Sequence, residues 1–76
     1  MHIKENINLI QFLETVRLCK AEVYFETAEG DSLALRSALC QYIFCTLSNK
    51  PEILYRGNIR FDDPDDVTLV SGYLNA

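Results

Sequence analysis

The spacing of apolar residues changes at residue 21, and this change limits the chain to a fold that mixes helices with strands. Over 7–20, apolar residues recur every three or four positions, which predicts an amphipathic helix. Asn6 or Asn8 would cap its start. From residue 21 the apolar residues alternate, which predicts two antiparallel strands over 21–27 and 32–36 with a tight turn at Gly30. The predicted class is therefore α+β.

A second helix is predicted over 37–47, with Ser37 as its N-cap. It is apolar on almost every side, although a helix on a sheet buries only part of its circumference. We expect the core to receive four of its residues, Leu39, Ile43, Thr46 and Leu47. The outer face would then carry Cys40, Tyr42 and Phe44, which we interpret as a surface for a protein partner or for a homodimer. The alternative is that the loop over 48–52, or the end of helix one, covers these side chains.

Two readings compete for residues 52–61. A hairpin could turn at Gly57, but a single strand keeps the alternate apolar residues on one face, and we favour the strand. Asp63 and Pro64 then predict the start of a last helix running from Val67 to Leu74. A calcium loop is the alternative for this acidic run, but it lacks the ligand spacing of an EF-hand. With a strand stub at 2–4, the predicted order is (β)αββαβα, an antiparallel sheet covered on one face by three helices.

The composition predicts one ordered domain over residues 1–76 and excludes several classes of function. Hydrophobic residues make up 49% and charged residues 24%, as in ordinary globular domains. No apolar run approaches the ~20 residues that span a membrane, and no signal peptide is visible, so we expect a cytoplasmic protein that binds no membrane. The net charge of −4 argues against nucleic-acid binding.

Three cysteines and one histidine offer little for a metal or a cofactor. An odd number of cysteines argues against a disulfide framework, and Cys19, Cys40 and Cys45 each lie in an apolar segment. We expect them to be buried free thiols. Because His2 is the only histidine and no Cys-x-x-Cys motif is present, we predict no metal site, no cofactor and no catalytic residue.

The order of the elements and several short segments resemble the histidine-containing phosphocarrier (HPr) family of the bacterial sugar phosphotransferase system. The matching segments are Phe12-Leu13-Glu14-Thr15-Val16, the hairpin over 21–35, Leu35-Arg36-Ser37-Ala38 and the acidic start of the last helix. The resemblance covers nearly the whole chain and implies an open-faced sandwich. The most telling match is the basic residue and serine at Arg36-Ser37.

The resemblance also places the family's functional residues on this chain. The phosphoryl-carrying histidine, found in a Gly-Leu-His-Ala-Arg-Pro stretch, would fall at about Glu5, and its arginine at about Ile7. Neither residue type is retained, which is typical of a degenerate member without phosphocarrier activity. The family's regulatory phosphorylation site corresponds to Ser37, and the helix beside it contributes to partner docking. A simple helix cap is the alternative role for Ser37.

The sequence therefore favours a non-catalytic regulatory or protein-interaction module that works through the second helix. Two alternatives stay open. One is a true phosphocarrier that uses His2 from an unusual position, and the other is a small structural or assembly subunit whose fold resemblance is incidental.

Overall fold

A computed structural model describes residues 1–75 and contains short helices and antiparallel strands, which confirms the α+β class. The described helices are α1 (Leu9–Val16), α2 (Ala38–Thr46), α3 (Pro51–Leu54) and α4 (Val67–Val70). The strands are β1 (His2–Ile3), β2 (Val23–Glu26), β3 (Ser32–Ala34), β4 (Asn58–Phe61) and β5 (Leu74–Asn75). Single 3₁₀ turns lie at Leu47–Asn49, Pro64–Asp66 and Ser71–Tyr73. No helix within the described residues is long and apolar enough to cross a membrane.

The strands form two sheets rather than the predicted single sheet. The larger has the order β3-β2-β4, in which Phe25 of β2 pairs with Leu33 on one side and Ile59 on the other. The smaller joins β1 to β5 through Ile3 and Leu74. Sequence reasoning missed β5, because a two-residue strand gives too short an alternation to recognise.

The hairpin of β2 and β3 follows the predicted alternation. Val23 and Phe25 are fully buried, whereas Tyr24 and Glu26 point to the open face of the sheet and are half-buried. The turn closes with a hydrogen bond from the Thr27 N–H to the Asp31 carbonyl oxygen (2.8 Å), and Gly30 there has φ 99°. A positive φ of this kind is open to glycine at little cost.

The open face of the sheet carries an ion pair between β2 and β4. The Nε of Arg60 lies 3.0 Å from a carboxylate oxygen of Glu26, and its guanidinium stacks 4.2 Å from the centre of the Tyr24 ring. Arg56 lies between α3 and β4 and takes no part in this pairing. The face of the sheet opposite the core is therefore polar, as the sequence predicts.

Three aromatic rings form the centre of the core. The Phe44 ring of α2 lies 5.2 Å from the ring of Phe25 and 6.0 Å from that of Phe12, so it joins α2 to both the sheet and α1. All three side chains are completely buried. The other buried apolar residues are Ile3, Leu13, Val16, Cys19, Val23, Leu35, Leu54, Ile59, Val70 and Leu74.

The single strand predicted over 52–61 is wrong. Pro51 occupies the first position of α3, where its fixed φ and missing N–H suit a helix, and the strand begins only at Asn58. Gly57 lies between them, buried against the ring of Phe25. The alternate apolar residues therefore lie on two elements rather than one.

The last predicted helix has the expected start but an earlier end. The Asp63 carboxylate accepts the Asp65 N–H at 3.0 Å, which confirms the predicted cap. The α-helix ends at Val70, and a 3₁₀ turn containing Gly72 leads into β5. Leu74 is buried, but it lies in a strand that pairs with Ile3 and not in the last helix.

Candidate interaction surface

One apolar residue of α1, Ile10, does not lie on the buried face of the helix. Asn8 caps α1 by accepting the Gln11 N–H at 3.1 Å, and Phe12, Leu13 and Val16 are buried. Ile10 is 63% exposed instead. It lies four residues before Glu14, and both side chains line a groove between α1 and α2. An isoleucine at this position contributes little to the core.

The exposed side of α2 differs from the predicted one. Leu39 and Tyr42 are 69% and 71% exposed, and Ile43 is 40% exposed. Because these residues are spaced i, i+3 and i+4, they form one continuous apolar stripe on the helix surface. The prediction that Leu39 and Ile43 face the core is therefore wrong, whereas the predicted exposure of Tyr42 is confirmed.

Phe44 and Cys40 also require correction. Phe44 is completely buried, so it is absent from the surface that the sequence assigned to it. Cys40 is half-buried. Phe44 explains why the buried side of α2 differs from the predicted one. Its ring packs between Phe12 and Phe25, and this orientation of the helix turns Leu39 and Ile43 outward.

A buried amide fixes α2 relative to α1. The Nε2 of Gln41 donates to the Leu35 carbonyl oxygen (2.8 Å), and its Oε1 accepts a hydrogen bond from Nη2 of Arg17 (2.9 Å). Gln41 is only 8% exposed, so these bonds offset the cost of burying its polar groups. Sequence reasoning missed this network, because Arg17 lies 24 residues away from Gln41 in the chain.

Between the two helices runs a shallow groove of about 340 Å³. Ile10 and Tyr42 form its exposed walls, and the more buried Leu13, Gln41 and Cys45 form its floor. We call the groove, with the adjoining stripe of α2, the α1–α2 surface. Its exposed residues are Ile10, Glu14, Arg17, Ala38, Leu39, Tyr42 and Ile43. Sequence reasoning missed Ile10, although its position outside the apolar period of α1 was a detectable signal.

Ser37 caps α2 as predicted and is exposed. Its Oγ accepts the Cys40 N–H at 3.5 Å, which is long for a hydrogen bond of this kind. The hydroxyl is therefore held only weakly. Phosphorylation of Ser37 stays a prediction.

His2 lies in β1 and is not part of the N-terminal turn of a helix. Its Nδ1 is 2.8 Å from the Gly57 carbonyl oxygen. Because a carbonyl oxygen only accepts hydrogen bonds, Nδ1 carries the proton there. Glu5, which matches the carrier histidine, is an exposed residue of the turn before α1.

The environment of Cys19 disfavours a reactive thiolate. All three cysteines are free, and the burial of Cys19 raises the pKa of its thiol, to which the nearby Asp66 carboxylate adds. A raised pKa lowers the fraction of thiolate, the form that acts as nucleophile. Cys19 is buried as predicted, whereas Cys40 and Cys45 are only half-buried.

A second cleft lies between the hairpin tip and α3 and has a different character. Its lining includes three acidic residues, Glu29, Asp31 and Glu52, and one basic residue, Arg56. Within residues 1–75, no group of three or more histidine, cysteine or acidic side chains is arranged to hold a metal ion. We assign no ligand to this cleft.

Comparison with known proteins gives no match: no family model, no curated protein and no solved structure is significantly similar to the chain.

Proposed function

We propose that the chain is a non-catalytic protein-interaction module that binds a partner protein through the α1–α2 surface. One observation carries the proposal. Of the six large apolar side chains that are strongly exposed in residues 1–75, four lie together on this surface, namely Ile10, Leu39, Tyr42 and Ile43. Single exposed apolar residues are normal in small domains, but a contiguous group of them is typical of a binding site.

The energetic gain from covering this surface is large enough to support binding. Full burial of a side chain such as leucine or isoleucine contributes ~1.5–3 kcal/mol, and these side chains start from 40% to 71% exposure. Tyr42 is well suited to a contact because its ring is apolar and its hydroxyl can hydrogen-bond at the wet rim. Aromatic residues of this kind are enriched among the residues that dominate binding energy.

The surface is also held in place before any partner arrives. Caps at Asn8 and Ser37 support the starts of α1 and α2, and the Arg17–Gln41–Leu35 hydrogen bonds join the two helices. A preorganised surface loses less conformational entropy on binding. Rigid helices with exposed apolar side chains are therefore consistent with recognition rather than with catalysis.

The proposal retains the regulatory role that the HPr resemblance implies, with a corrected set of contact residues. An HPr-like open-faced sandwich, a cytoplasmic location and a modifiable Ser37 beside the surface belong to the same proposal. Ser37 lies at the start of α2, one residue before Ala38, which lines the groove. A phosphate on Ser37 would add negative charge at this edge of the surface and so would change partner affinity.

Photo-crosslinking tests the proposal directly. A photoreactive phenylalanine derivative replaces Tyr42 in the native cells, and adducts are separated by mass after irradiation. The matched control carries the same group at Glu29, an exposed residue of the hairpin tip. We expect a discrete protein adduct from position 42, little from position 29, and loss of the adduct when Ile10→Asp is added. Equal yields from both positions, or no adduct from position 42, would contradict the proposal.

A further inference from the structure

We infer that the partner bound at the α1–α2 surface is a second copy of this chain, in a weak dimer with two-fold symmetry. This inference rests on the proposed function, because it names the partner of the same surface. Two features carry it, namely the distribution of charge over the molecule and the order of the charged residues along α1.

The charge of the chain is concentrated away from the surface. Residues 9–18 and 38–47, which contain α1 and α2, include one acid, Glu14, and one base, Arg17. The remainder of the chain has ten acids and six bases and therefore carries the whole net charge of −4. Taken as a whole, the rest of the chain is net negative, so repulsion opposes a contact between two copies through it. Contact through α1 and α2 avoids that repulsion.

The two charged side chains make the surface complementary to itself. In a two-fold contact, residue i of one copy meets residue j of the other, and j meets i. Glu14 and Arg17 both line the groove side of α1, so an antiparallel approach of two α1 helices pairs Glu14 of each copy with Arg17 of the other. Arg17 has five N–H donors, and one of them bonds Gln41, so its guanidinium can also accommodate a carboxylate.

The shape of the surface fits the same arrangement. Tyr42 projects beside a groove in its own chain, and two-fold symmetry sets the projection of each copy against the groove of the other. Burial of the ring against Leu13 and Cys45 would leave its hydroxyl near the polar rim. Two copies of the chain can therefore cover each other's grooves without a different protein.

The size of the molecule limits the strength of the dimer. Its extents are 29 × 23 × 22 Å, so one face offers roughly 600 Å² per copy at most. A total near 1,200 Å² is at the low end for specific complexes. We therefore expect a reversible dimer with a Kd on the order of micromolar or weaker.

Sedimentation equilibrium over a wide concentration range tests the inference, because an 8.7 kDa chain and its dimer are well separated in mass. The key variant is Glu14→Lys, which leaves two bases on the surface. It changes the net charge from −4 to −2, which by itself would favour association. We expect at least ten-fold weaker dimerisation. The control Glu29→Lys makes the same change in net charge at the hairpin tip and should leave the Kd unchanged or slightly lower.

A mixing experiment separates self-association from loss of folding. Arg17→Glu leaves two acids on the surface and should also weaken the dimer. An equimolar mixture of Glu14→Lys and Arg17→Glu should associate more tightly than either variant alone, because opposite charges again face each other. Because Arg17→Glu removes the hydrogen bond to Gln41, circular dichroism must show that this variant is folded. Glu14→Gln provides a second test that leaves Arg17 intact, and we expect it to give an intermediate Kd.

Three outcomes would overturn the inference. The first is that Glu14→Lys and Glu29→Lys change the Kd equally, and the second is that the wild type stays monomeric at millimolar concentration. The third is that mixing the two variants gives no tighter association and that Glu14→Gln also keeps the wild-type Kd. These outcomes are distinguishable from failure of the proposed function. If the chain is monomeric while position 42 still crosslinks to a protein of another mass, the interaction module stands and the second copy does not. If position 42 yields no adduct and the chain is monomeric, both fail.

Discussion

Asp66 shows how one buried carboxylate can hold distant parts of this small chain together. It is almost completely buried, and its oxygens accept the backbone N–H groups of Lys20 (2.9 Å) and Ala21 (3.0 Å). The hydrogen bond from Lys20 is the main reason why the pKa of Asp66 lies below its ordinary value of 3.8, and the bond from Ala21 adds to it against the opposing effect of burial. The side chain thus ties the start of the C-terminal segment to the link between α1 and β2.

We predict that Asp66 makes the fold sensitive to acid. Its pKa is depressed in the folded state, so its contribution to stability is complete above the unfolded pKa near 3.8 and is lost as pH falls through the lower folded pKa. Asp66→Asn should lower the melting temperature at pH 7 and reduce the further drop between pH 4 and pH 2. Thermal melts across this range check it, with the exposed Asp65→Asn as the control. Identical acid-induced drops in both variants would rule out this role.

We also predict that His2 accepts no phosphoryl group. Its Nδ1 donates to the Gly57 carbonyl oxygen, so this nitrogen has no free lone pair with which to attack a phosphoryl group. Incubation with the general enzyme of the phosphotransferase system and phosphoenolpyruvate should leave the mass unchanged. A stoichiometric, acid-labile phosphate that disappears in His2→Ala would establish a phosphocarrier instead.

Local roles of single residues were predictable, whereas long-range roles were not. Asn8, Ser37 and Asp63 cap helices that begin within three residues of them, so the local sequence was enough to identify them. The partners of Asp66 lie 45 and 46 residues away. Nothing in the acidic run distinguishes Asp66 from its neighbours until the fold brings Lys20 close.

At the scale of elements, α2 is a case in which apolar periodicity cannot identify the buried side of a helix. Nearly every residue of α2 is apolar, so the pattern does not indicate which side faces the core. The sequence interpretation placed Leu39 and Ile43 inside, at a spacing that is equally compatible with an exposed stripe. Packing of Phe44 between two other rings decides the matter, and those rings belong to α1 and β2.

We predict opposite consequences for two neighbouring aromatic residues of α2. Phe44→Ala should destabilise the protein by ~3–5 kcal/mol, because it opens a cavity between Phe12 and Phe25. That is a large share of the about 4–11 kcal/mol expected for a chain of this length. Tyr42→Ala, on the exposed side, should change the stability of the monomer by no more than ~0.5 kcal/mol. Urea unfolding of dilute protein measures both, and a comparable loss for the two variants would refute the assigned faces.

The strand predicted over 52–61 failed for a related reason. The alternate apolar residues of this segment fit a strand, but its first three residues also fit one helical turn that begins at the preceding Pro51. A short segment cannot distinguish the two periods. The sheet takes only the second half, where Ile59 pairs with Phe25.

Gly57 offers a test of this close packing. A Cβ at Gly57 would overlap the Phe25 ring, whereas a Cβ at Gly72 would meet no atom within 4 Å. We expect Gly57→Ala to cost ~1–3 kcal/mol through overpacking, and Gly72→Ala to be neutral or slightly stabilising. Chemical denaturation of the two variants provides the comparison, and equal midpoints would show that Phe25 moves aside without cost.

On the scale of the whole molecule, β1 connects the two sheets. It pairs with β5 through Ile3 and Leu74, and the Ile59 N–H at β4 donates to the Met1 carbonyl oxygen at 2.7 Å. The sequence predicted a strand stub at this place but assigned it no partner. Pairing between residues so far apart in the chain depends on the complete fold.

We predict that weakening the packing of β5 exposes the backbone amide of Ile59 in β4 to solvent. Leu74→Ala should cost ~2–5 kcal/mol, since the side chain is buried against the core. It should also speed amide hydrogen exchange at Ile59 more than at Phe25, because the Ile59 N–H depends on β1 whereas Phe25 lies in the central strand. Asn75→Ala, in the exposed position of the same strand, is the control. Uniform acceleration at both amides would indicate global unfolding instead.

The pairing of β1 with β5 also sets how the fold would respond to mechanical load. His2 lies opposite Asn75 at the outer end of this ladder, and Ile3 lies opposite Leu74 behind it. A pull applied at His2 and Asn75 would act along the direction of the hydrogen bonds, which run perpendicular to antiparallel strands. The two pairs would then be loaded one after the other rather than together, so the molecule should peel open from this end at low force.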